Sequence, residues 1–206
     1  TRFFGMDKKK RQVTLLDPSV SRGEIAMEDR KVGVAAPKMF AFDGVFTSED
    51  TQEEVSAASL TDIISAVING SDGCLFCFGH ASLGKTFTML GSDRSARTVG
   101  VLPTAIAWLF RAIKERRQRT GARFSVRVSA VEISPGTEQL RDLLGKYASE
   151  SDQSPGVYLR QLPTSSALQN LSEVRASSLD KAAFYLDAAL TERSQDETGR
   201  GSHLLY

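Results

Sequence analysis

The sequence predicts an α/β fold organised around a short strand, a glycine-rich loop and a helix. Residues 74–78 (CLFCF) form an apolar run suited to a buried strand, and residues 87–90 can continue a helix behind the loop. Between them, residues 79–86 (GHASLGKT) fit the phosphate-loop pattern G-x-x-x-x-G-K-[ST] at every fixed position. Three further stretches have apolar residues at helical spacing. We therefore expect helices to pack on the faces of a sheet that has residues 74–78 at its centre.

The composition excludes several classes of function. The chain has 206 residues, 25% of them charged, and a net charge of +1, which is ordinary for one globular domain or part of a larger one. This near-neutral balance argues against a general nucleic-acid binder. No signal peptide opens the chain, and no apolar run approaches the roughly 18 residues of a membrane span. We expect no membrane span and a reducing, intracellular compartment.

The only two cysteines, Cys74 and Cys77, have the C-x-x-C spacing of redox and metal motifs. No second cysteine pair is present to complete a zinc site. Residues three apart on a strand also face opposite sides of the sheet. We interpret both cysteines as small buried hydrophobic residues.

The part of the chain before the loop begins with two predicted strands. The basic run at residues 8–11 is typical of a solvated turn. Residues 13–16 predict a short strand. The aromatic-rich stretch at residues 40–46 (FAFDGVF) predicts another strand, whose aromatic side chains we expect in the core.

Three helices are predicted from the spacing of apolar residues. The first, over residues 52–69, begins with a capping box formed by Thr51 and Glu54. The second, over residues 103–119, begins at a proline and has a basic end. We interpret those cations as complementing the helix dipole and interacting with solvent, with contact to an acidic partner as the alternative. The third, over residues 179–192, follows Ser178, a residue type that favours the N-cap position of a helix. The basic end of the second helix contains Arg111, Lys114, Arg116, Arg117 and Arg119.

The rest of the chain predicts further short elements. Residues 124–133 alternate between apolar and polar positions and predict one long strand. Residues 140–144 (LRDLL) suggest one or two helical turns. Residues 156–159 predict a strand, and residues 203–206 read as the start of another.

Each fixed residue of the phosphate loop has a physical role. Gly79 and Gly84 let the backbone bend so that successive N–H groups point at a phosphate. The ammonium of Lys85 would reach the β- and γ-phosphates, and the hydroxyl of Thr86 would ligate Mg²⁺. Leu83 places an apolar side chain inside the loop, so weak or absent binding stays an alternative. The predicted nucleotide-binding residues are Gly79, His80, Ala81, Ser82, Leu83, Gly84, Lys85, Thr86 and Phe87.

These motifs together resemble the motor domain of kinesins. Residues 40–46 are similar to the family pattern Y-x-F-D-x-V-F. Residues 73–89 (GCLFCFGHASLGKTFTM) resemble G-x-x-x-F-A-Y-G-Q-T-x-S-G-K-T-x-T-M. Residues 100–103 (GVLP) resemble G-I-I-P, and residues 128–133 followed by 142–144 resemble V-S-x-x-E-I and D-L-L. A phosphate loop alone is common to many nucleoside triphosphatases, and its neighbours make this match specific.

The resemblance implies a kinesin-like P-loop NTPase fold, with a mostly parallel central sheet and helices on both faces. It implies ATP or ADP with Mg²⁺ as cofactors, microtubules and hence tubulin as the partner, and a location in the cytoplasm on the cytoskeleton. We expect residues 1–206 to be a partial motor domain. Nothing near Thr1 matches the family strand R-x-R-P that contacts the base. Nothing after Tyr206 supplies the second switch or the main microtubule-binding helix.

A tubulin contact is implied by position within the family. In kinesins, the region corresponding to the loop after Leu159 touches tubulin. Here that region offers Arg160 and Arg175 as cations for an acidic surface. The alternative is that both arginines interact only with solvent.

The sequence departs from the family pattern within the phosphate loop. The Q-T pair that follows the first loop glycine in the family is His80-Ala81 here. Leu83 replaces the small residue before the second glycine. The family ending Y-N-E after the E-I pair has become residues 134–136 (SPG).

The departures are larger at the first switch, which reads N-x-x-S-S-R-S-H in the family. The nearest match is the stretch DETGRGSH close to the end of the chain, where only Ser202 and His203 agree. The paired serines become Gly199 and Arg200, and the arginine that bridges to the second switch becomes Gly201. A different register brings Arg200 nearer to that role, but the serines are still lost. These changes resemble the divergent kinesin subfamily regarded as non-hydrolysing.

Four functional hypotheses remain open from the sequence. The preferred one is a microtubule-binding kinesin-like module with little or no ATP hydrolysis, in which we assign no catalytic residue. An active ATP-dependent motor and a nucleotide-free scaffold with the kinesin fold are the alternatives within the family. Another P-loop enzyme, such as a small kinase, would need Asp187 to end an apolar strand as a Mg²⁺ ligand. The cap at Ser178 and the helical spacing that follows it argue against that strand.

Overall fold

The computed structural model describes residues 4–16, 37–92, 98–133, 140–148, 171–193 and 203–206. The described strands are β1 (Phe4–Asp7), β2 (Gln12–Leu15), β3 (Lys38–Ala41), β4 (Arg127–Val128), β5 (Val131–Ile133), β6 (Leu140–Asp142), β7 (Val174–Arg175) and β8 (His203–Leu205). The described α-helices are α1 (Gln52–Ile68), α2 (Lys85–Leu90), α3 (Val101–Thr120) and α4 (Leu179–Glu192). None of these helices combines the length and the apolar character needed to cross a bilayer.

Strands β1, β2 and β3 form one antiparallel sheet near the start of the chain. The basic run forms the turn between β1 and β2, as predicted, and Lys8 of that turn forms an ion pair with Asp50. The side-chain hydrogen bond from Lys8 is the main reason why the pKa of Asp50 is lowered. The expected aromatic core is wrong, because Phe40 and Phe42 are exposed and β3 ends at Ala41. Among the described residues, nothing packs over this face of the sheet closely enough to bury them.

The three long helices confirm the predictions from helical spacing. The side chain of Thr51 accepts from the backbone N–H of Glu54, whose carboxylate accepts in return from the N–H of Thr51, so α1 begins with a complete capping box. Helix α3 begins two residues before the predicted start and packs against α1. Pro103 therefore lies in the first turn, where a missing N–H leaves no helical hydrogen bond unmade. Helix α4 follows Ser178, whose hydroxyl accepts from the N–H of Lys181. This helix excludes the alternative strand that would end at Asp187.

The prediction of a central strand at residues 74–78 is wrong for the described structure. Residues 71–79 have no regular secondary structure, and the side chains of Phe76 and Phe78 are 76% and 88% exposed. A strand is stabilised by the neighbours that pair with its N–H and C=O groups, and no described strand pairs with this segment. The strand pairs of the described residues are all antiparallel, so they contain no part of a mostly parallel sheet.

The core lies between α3, α4 and the short strands β4 to β8. The predicted long strand over residues 124–133 is split into β4, which pairs with β7, and β5, which lies between β6 and β8. The predicted helical turns at residues 140–144 are wrong, because β6 occupies this region and a short 3₁₀ turn follows at Gly145–Tyr147. The buried residues of this core are Ile106, Ala130, Leu143, Leu144, Val174, Ala176, Ala182, Tyr185, Leu186 and Ala189.

Hydrogen bonds to Asp142 explain why residues 140–144 are not helical. Its carboxylate accepts from the N–H of Leu144 at 2.9 Å and from the N–H of Ser172 at 2.8 Å. The N–H of Leu143 is used by the carbonyl of Ala130 at 2.9 Å. These partners take the amides that a helix would need, and they join β6 to the segment before β7.

This core also contains a buried carboxylate. The side chain of Glu132 on β5 is 1% exposed, and its carboxylate lies 3.3 Å from Arg141 Nη1 on β6. Arg141 Nη2 lies 4.0 Å from the Glu192 carboxylate at the end of α4, which also pairs with Lys146. This ion pair offsets part of the cost of burying the Glu132 carboxylate.

We predict that Leu144→Ala lowers the free energy of unfolding by about 2–5 kcal/mol, because the Leu144 side chain is 0% exposed and its removal leaves a cavity. The measurement is urea denaturation followed by circular dichroism. Leu179→Ala is the matched control, since Leu179 is 40% exposed and the same truncation there should cost less than about 0.5 kcal/mol. Equal losses in the two variants would contradict the position of Leu144 in the core.

Candidate nucleotide-binding site

The phosphate loop forms a turn that leads directly into helix α2. Gly84 is the N-cap residue of α2 and has a φ of 85°, a left-handed conformation that side chains resist. Ser82 also lies in the left-handed region, with a φ of 61°. The helix predicted behind the loop is confirmed from Lys85 to Leu90. The motif thus has the sharp backbone bend that a phosphate-binding loop needs.

The ammonium of Lys85 is bound to the backbone of its own loop. Lys85 Nζ donates to the carbonyl oxygens of Gly79 and His80, both at 2.7 Å. His80 Nδ1 lies 3.0 Å from the carbonyl oxygen of Ala81, so it carries the proton in this arrangement. The lysine side chain thus binds the first two residues of the loop. A phosphate would have to compete with these two carbonyl groups for the same ammonium group.

The remaining predicted loop residues are exposed to solvent. The side chain of Leu83 is 74% exposed, so it does not fill an enclosed hollow in the loop. Thr86 and Phe87, in the first turn of α2, are also exposed. Leu83 therefore does not block a phosphate sterically. The hydrogen bonds of Lys85 within the loop are instead the feature that would weaken phosphate binding.

Gln52 is a positioning residue that the sequence analysis did not identify. It lies in the first turn of α1, is buried, and donates from Nε2 to the carbonyl of Phe87 at 2.6 Å. The signal that could have found it is spacing, because Gln52, Ser56 and Leu60 recur every four residues and all three are buried. This bond holds the loop helix against α1.

Gly73 sets the approach of the chain to the loop. A Cβ atom on Gly73 would lie 2.8 Å from Cγ2 of both Ile63 and Val67, so only glycine fits against α1 here. Neither cysteine that follows is buried, because Cys74 is exposed and Cys77 is intermediate. The interpretation of both as core residues is therefore wrong. The described residues contain no cluster of His, Cys, Asp or Glu side chains that could hold a metal ion.

A backbone contact between two glycines fixes the other end of the loop helix. Gly91 follows α2 with a φ of 87°, and its N–H donates to the carbonyl of Phe87 at 2.9 Å. The N–H of Gly100, the N-cap residue of α3, donates to the carbonyl of Leu90 at 3.2 Å. A Cβ on Gly91 would lie 2.1 Å from the carbonyl oxygen of Thr98. A Cβ on Gly100 would lie 2.3 Å from the carbonyl carbon of Leu90. The chain passes so closely here that neither position has room for a side chain.

Comparison with known proteins identifies the family. The family model described as the Kinesin motor domain matches residues 6–203. The chain belongs to the kinesin family. Its motor-domain match places this kinesin chain in the P-loop NTPase fold class predicted from the sequence. The antiparallel sheets described above are those of the residues that the structure describes.

The relatives of this kinesin chain also support the predicted divergent subfamily. It is 48% identical over 216 residues to Kinesin-like protein KIF26A of Mus musculus, covering 100% of the chain and 12% of that protein. It is 49% identical over 214 residues to Kinesin-like protein KIF26B of Homo sapiens, covering 99% of the chain and 10% of that protein. Identity to Kinesin-like protein KIF3C of Mus musculus is 32% over 174 residues, which is 82% of the chain and 20% of that protein. The kinesin chain thus spans at most a fifth of each of these relatives.

The two residues predicted to match the first switch, Ser202 and His203, are only partly described. Ser202 lies outside the described residues, and His203 begins β8, opposite Ile133 of β5. The strand expected at the end of the chain is therefore confirmed. The Tyr206 hydroxyl just after β8 donates to the carbonyl of Ala182 at 2.8 Å and ties the strand to α4. Burial raises the pKa of Tyr206 to about 12.

Only one of the two arginines expected to contact tubulin lies within the described residues. Arg160 lies outside the described residues, as does the strand predicted at residues 156–159. Arg175 is exposed on β7 and lies opposite Arg127 of β4 in the strand register. Like charges opposite one another on paired strands disfavour the pair, so an acidic partner near Arg175 would relieve that repulsion.

We predict that Gly91→Ala destabilises the kinesin chain more than Gly70→Ala does. Both glycines have similar left-handed angles, with φ of 87° and 95°, but nothing lies within 4 Å of a Cβ on Gly70. The difference between the two variants therefore reports the clash of a Cβ with the backbone at Thr98 and Gly100, together with the backbone strain at Gly91, whose ψ of −150° is adopted almost only by glycine. We expect that difference to be about 1–3 kcal/mol in the free energy of unfolding by urea denaturation. A Gly70→Ala loss as large as that of Gly91→Ala would contradict the close contact.

Proposed function

We propose that this chain forms part of a kinesin-like motor domain that binds ATP or ADP with Mg²⁺ and binds microtubules with little or no ATP hydrolysis. The observation that carries the proposal is the combination of a complete phosphate-loop motif with a first switch that has lost its serines. The kinesin motor domain family generally binds nucleotide and Mg²⁺. We also propose a location in the cytoplasm on the cytoskeleton, which follows from microtubule binding.

The nucleotide site in this proposal consists of residues 79–87. Backbone N–H groups of the loop and Lys85 would bind the phosphates, since the loop bends as such sites require. The exposed hydroxyl of Thr86 fits Mg²⁺, which keeps several waters and needs only one or two protein ligands beside the phosphates. Such an ion would neutralise part of the phosphate charge. We expect only moderate affinity, because Lys85 first has to leave the carbonyls of Gly79 and His80.

Weak hydrolysis follows from what the transfer of a phosphoryl group to water requires. Positioning and charge stabilisation supply nearly all of the catalysis, and the switches normally hold the attacking water. Gly199 has no hydroxyl to offer, Arg200 places a bulky cation instead, and Gly201 cannot form an ion pair between switches. Losing one preorganised contact typically costs about 10²–10³ in rate. Contacts that act as one unit need not add, so we expect a loss of at least that order.

Microtubule binding rests on family membership and on exposed cations. Arg160 and Arg175 are the candidates on this chain, and Arg175 is available on the surface of β7. Contacts between surface charges weaken as salt is added. The nucleotide-free scaffold is kept as a second candidate because Lys85 already uses two of its three donors within the loop.

We predict that Lys85→Ala weakens binding of Mg-ADP by about 10- to 100-fold, because it removes charge-assisted hydrogen bonds to the phosphates. The measurement is isothermal titration calorimetry on the protein that contains this chain. Lys38→Ala, at an exposed lysine of β3, is the control for loss of a positive charge. Leu83→Ser should leave the dissociation constant unchanged, because that side chain is already in solvent. Equal heats for the wild type and Lys85→Ala, or no heat from either, would favour the scaffold.

We predict that the whole protein sediments with microtubules while microtubules leave its phosphate release unchanged. Co-sedimentation and steady-state phosphate release are measured on the same samples. Arg175→Glu should reduce the bound fraction. Lys9→Glu is the matched charge reversal, at an exposed lysine that is distant from Arg175 in the sequence. Stimulated turnover on the scale of about 1–100 s⁻¹ would make the chain an ordinary motor. Undiminished binding by Arg175→Glu would remove that residue from the contact and leave the rest of the proposal intact.

A further inference from the structure

The C-terminal half of α3 carries cations that form no ion pair among the described residues, although Glu115 lies four residues from both Arg111 and Arg119. The basic residues are Arg111, Lys114, Arg116, Arg117, Arg119 and, just after the helix, Arg123. The only acidic residue between positions 111 and 123 is Glu115. All but Arg116 are exposed, and none of the six forms an ion pair within the described part of the chain. Such a density of one charge has to be stabilised either by solvent or by a ligand.

The helix dipole explains only the end of this series. Arg117 and Arg119 lie in the last turn of α3, where a cation faces the unsatisfied carbonyl groups. That effect falls off within the last turn, and Arg111 and Lys114 lie further back along the helix. The dipole part of the sequence interpretation therefore applies to Arg117 and Arg119, and interaction with solvent is what that interpretation leaves for the others.

A partly exposed aromatic side chain lies beside one of these two cations, Arg111. Trp108 is the only tryptophan of the chain and is partly exposed on α3. The Arg111 guanidinium lies over the Trp108 ring, 5.8 Å from its centroid. Trp108, Arg111, Lys114 and Gln118 follow at spacings of three and four, so they share one side of the helix. We call these four residues, with Arg117 beside them, the α3 basic face.

We infer that the α3 basic face binds an acidic peptide segment, rich in glutamate or aspartate, supplied by a partner protein. Two of the three cations of this face, Arg111 and Arg117, are arginines, whose planar guanidinium groups suit paired hydrogen bonds to carboxylates. Tryptophan and arginine together are also the residues that most often dominate the binding energy of protein interfaces. The arrangement combines long-range attraction for a negative chain with an apolar anchor at one end.

The same features disfavour a nucleic acid as the ligand. Single-stranded nucleic acids use free aromatic faces for base stacking, and Arg111 already covers a face of Trp108. A domain that binds the phosphate backbone of a nucleic acid is usually strongly basic, whereas this chain has a pI of about 7.7. The inference depends on neither nucleotide nor microtubule binding, so its failure would leave the proposed function standing.

The test uses a fluorescein-labelled decaglutamate peptide and the full chain, with binding followed by fluorescence anisotropy. The double reversal Arg111→Glu with Lys114→Glu should weaken binding by at least about 10-fold. The matched control is the double reversal Lys9→Glu with Lys38→Glu, which changes the net charge equally at exposed lysines outside α3. The control should bind like the wild type. Added sodium chloride should weaken the wild-type complex, and the peptide should change the emission of Trp108.

Three results would overturn the inference. The first is undiminished binding by the α3 double reversal. The second is an equal loss in the α3 and control variants, which would show that only net charge matters. The third is tighter binding of a labelled thymidine decanucleotide than of decaglutamate at the same salt concentration. If the reversal unfolds the chain, as judged by circular dichroism, Arg111→Gln with Lys114→Gln replaces it, because glutamine keeps the helix and removes the charge.

Discussion

The close passage of Gly91 and Gly100 determines where the phosphate loop lies relative to the rest of the described structure. Helix α2 has only six residues and no fully buried side chain, and the packing of the partly buried Leu90 against the core is not enough to hold it alone. It is held by backbone and side-chain hydrogen bonds at its C-terminal end. The carbonyl of Phe87 accepts from both Gln52 and Gly91, and the carbonyl of Leu90 accepts from Gly100. These contacts join the loop helix to α1 on one side and to α3 on the other, and two of them need a residue without a side chain.

The sequence predicted the helices better than the strands, for a physical reason. A helix completes its hydrogen bonds within itself, so the capping box at Thr51 and the period behind it are sufficient to place α1. A strand depends on partners that are distant in the sequence. Residues 74–78 have the composition of a buried strand but have no paired neighbour among the described residues. Residues 140–144 have apolar spacing that suits a helix, but the amide of Leu144 donates to the Asp142 carboxylate and the amide of Leu143 donates to the carbonyl of Ala130.

The candidate site was predictable where a single residue type is required and less predictable where geometry decides. The fixed glycines, Lys85 and Thr86 followed from the motif itself. The present partners of Lys85 did not, because carbonyl groups of the loop carry no signature in the sequence. Gln52 was not predicted because it is polar, and the spacing of apolar residues in α1 does not identify a polar residue on the same buried side. Leu83 was overvalued as an obstacle, since the bend at Gly84 leaves its side chain in solvent.

Helix α3 connects the phosphate-loop region to the α3 basic face. The N-cap of α3 is Gly100, which contacts the loop helix, and the basic face lies in the C-terminal half of the same element. A helix of 20 residues is about 30 Å long and bends little, because each turn is held by its hydrogen bonds. The buried side chains of Val101, Ile106 and Ile113 fix α3 from its first residue as far as Ile113. A ligand on the basic face would therefore act on the phosphate loop only if it moved α3 against this packing. Because three buried anchors oppose such a movement, we expect the two regions to bind their ligands independently.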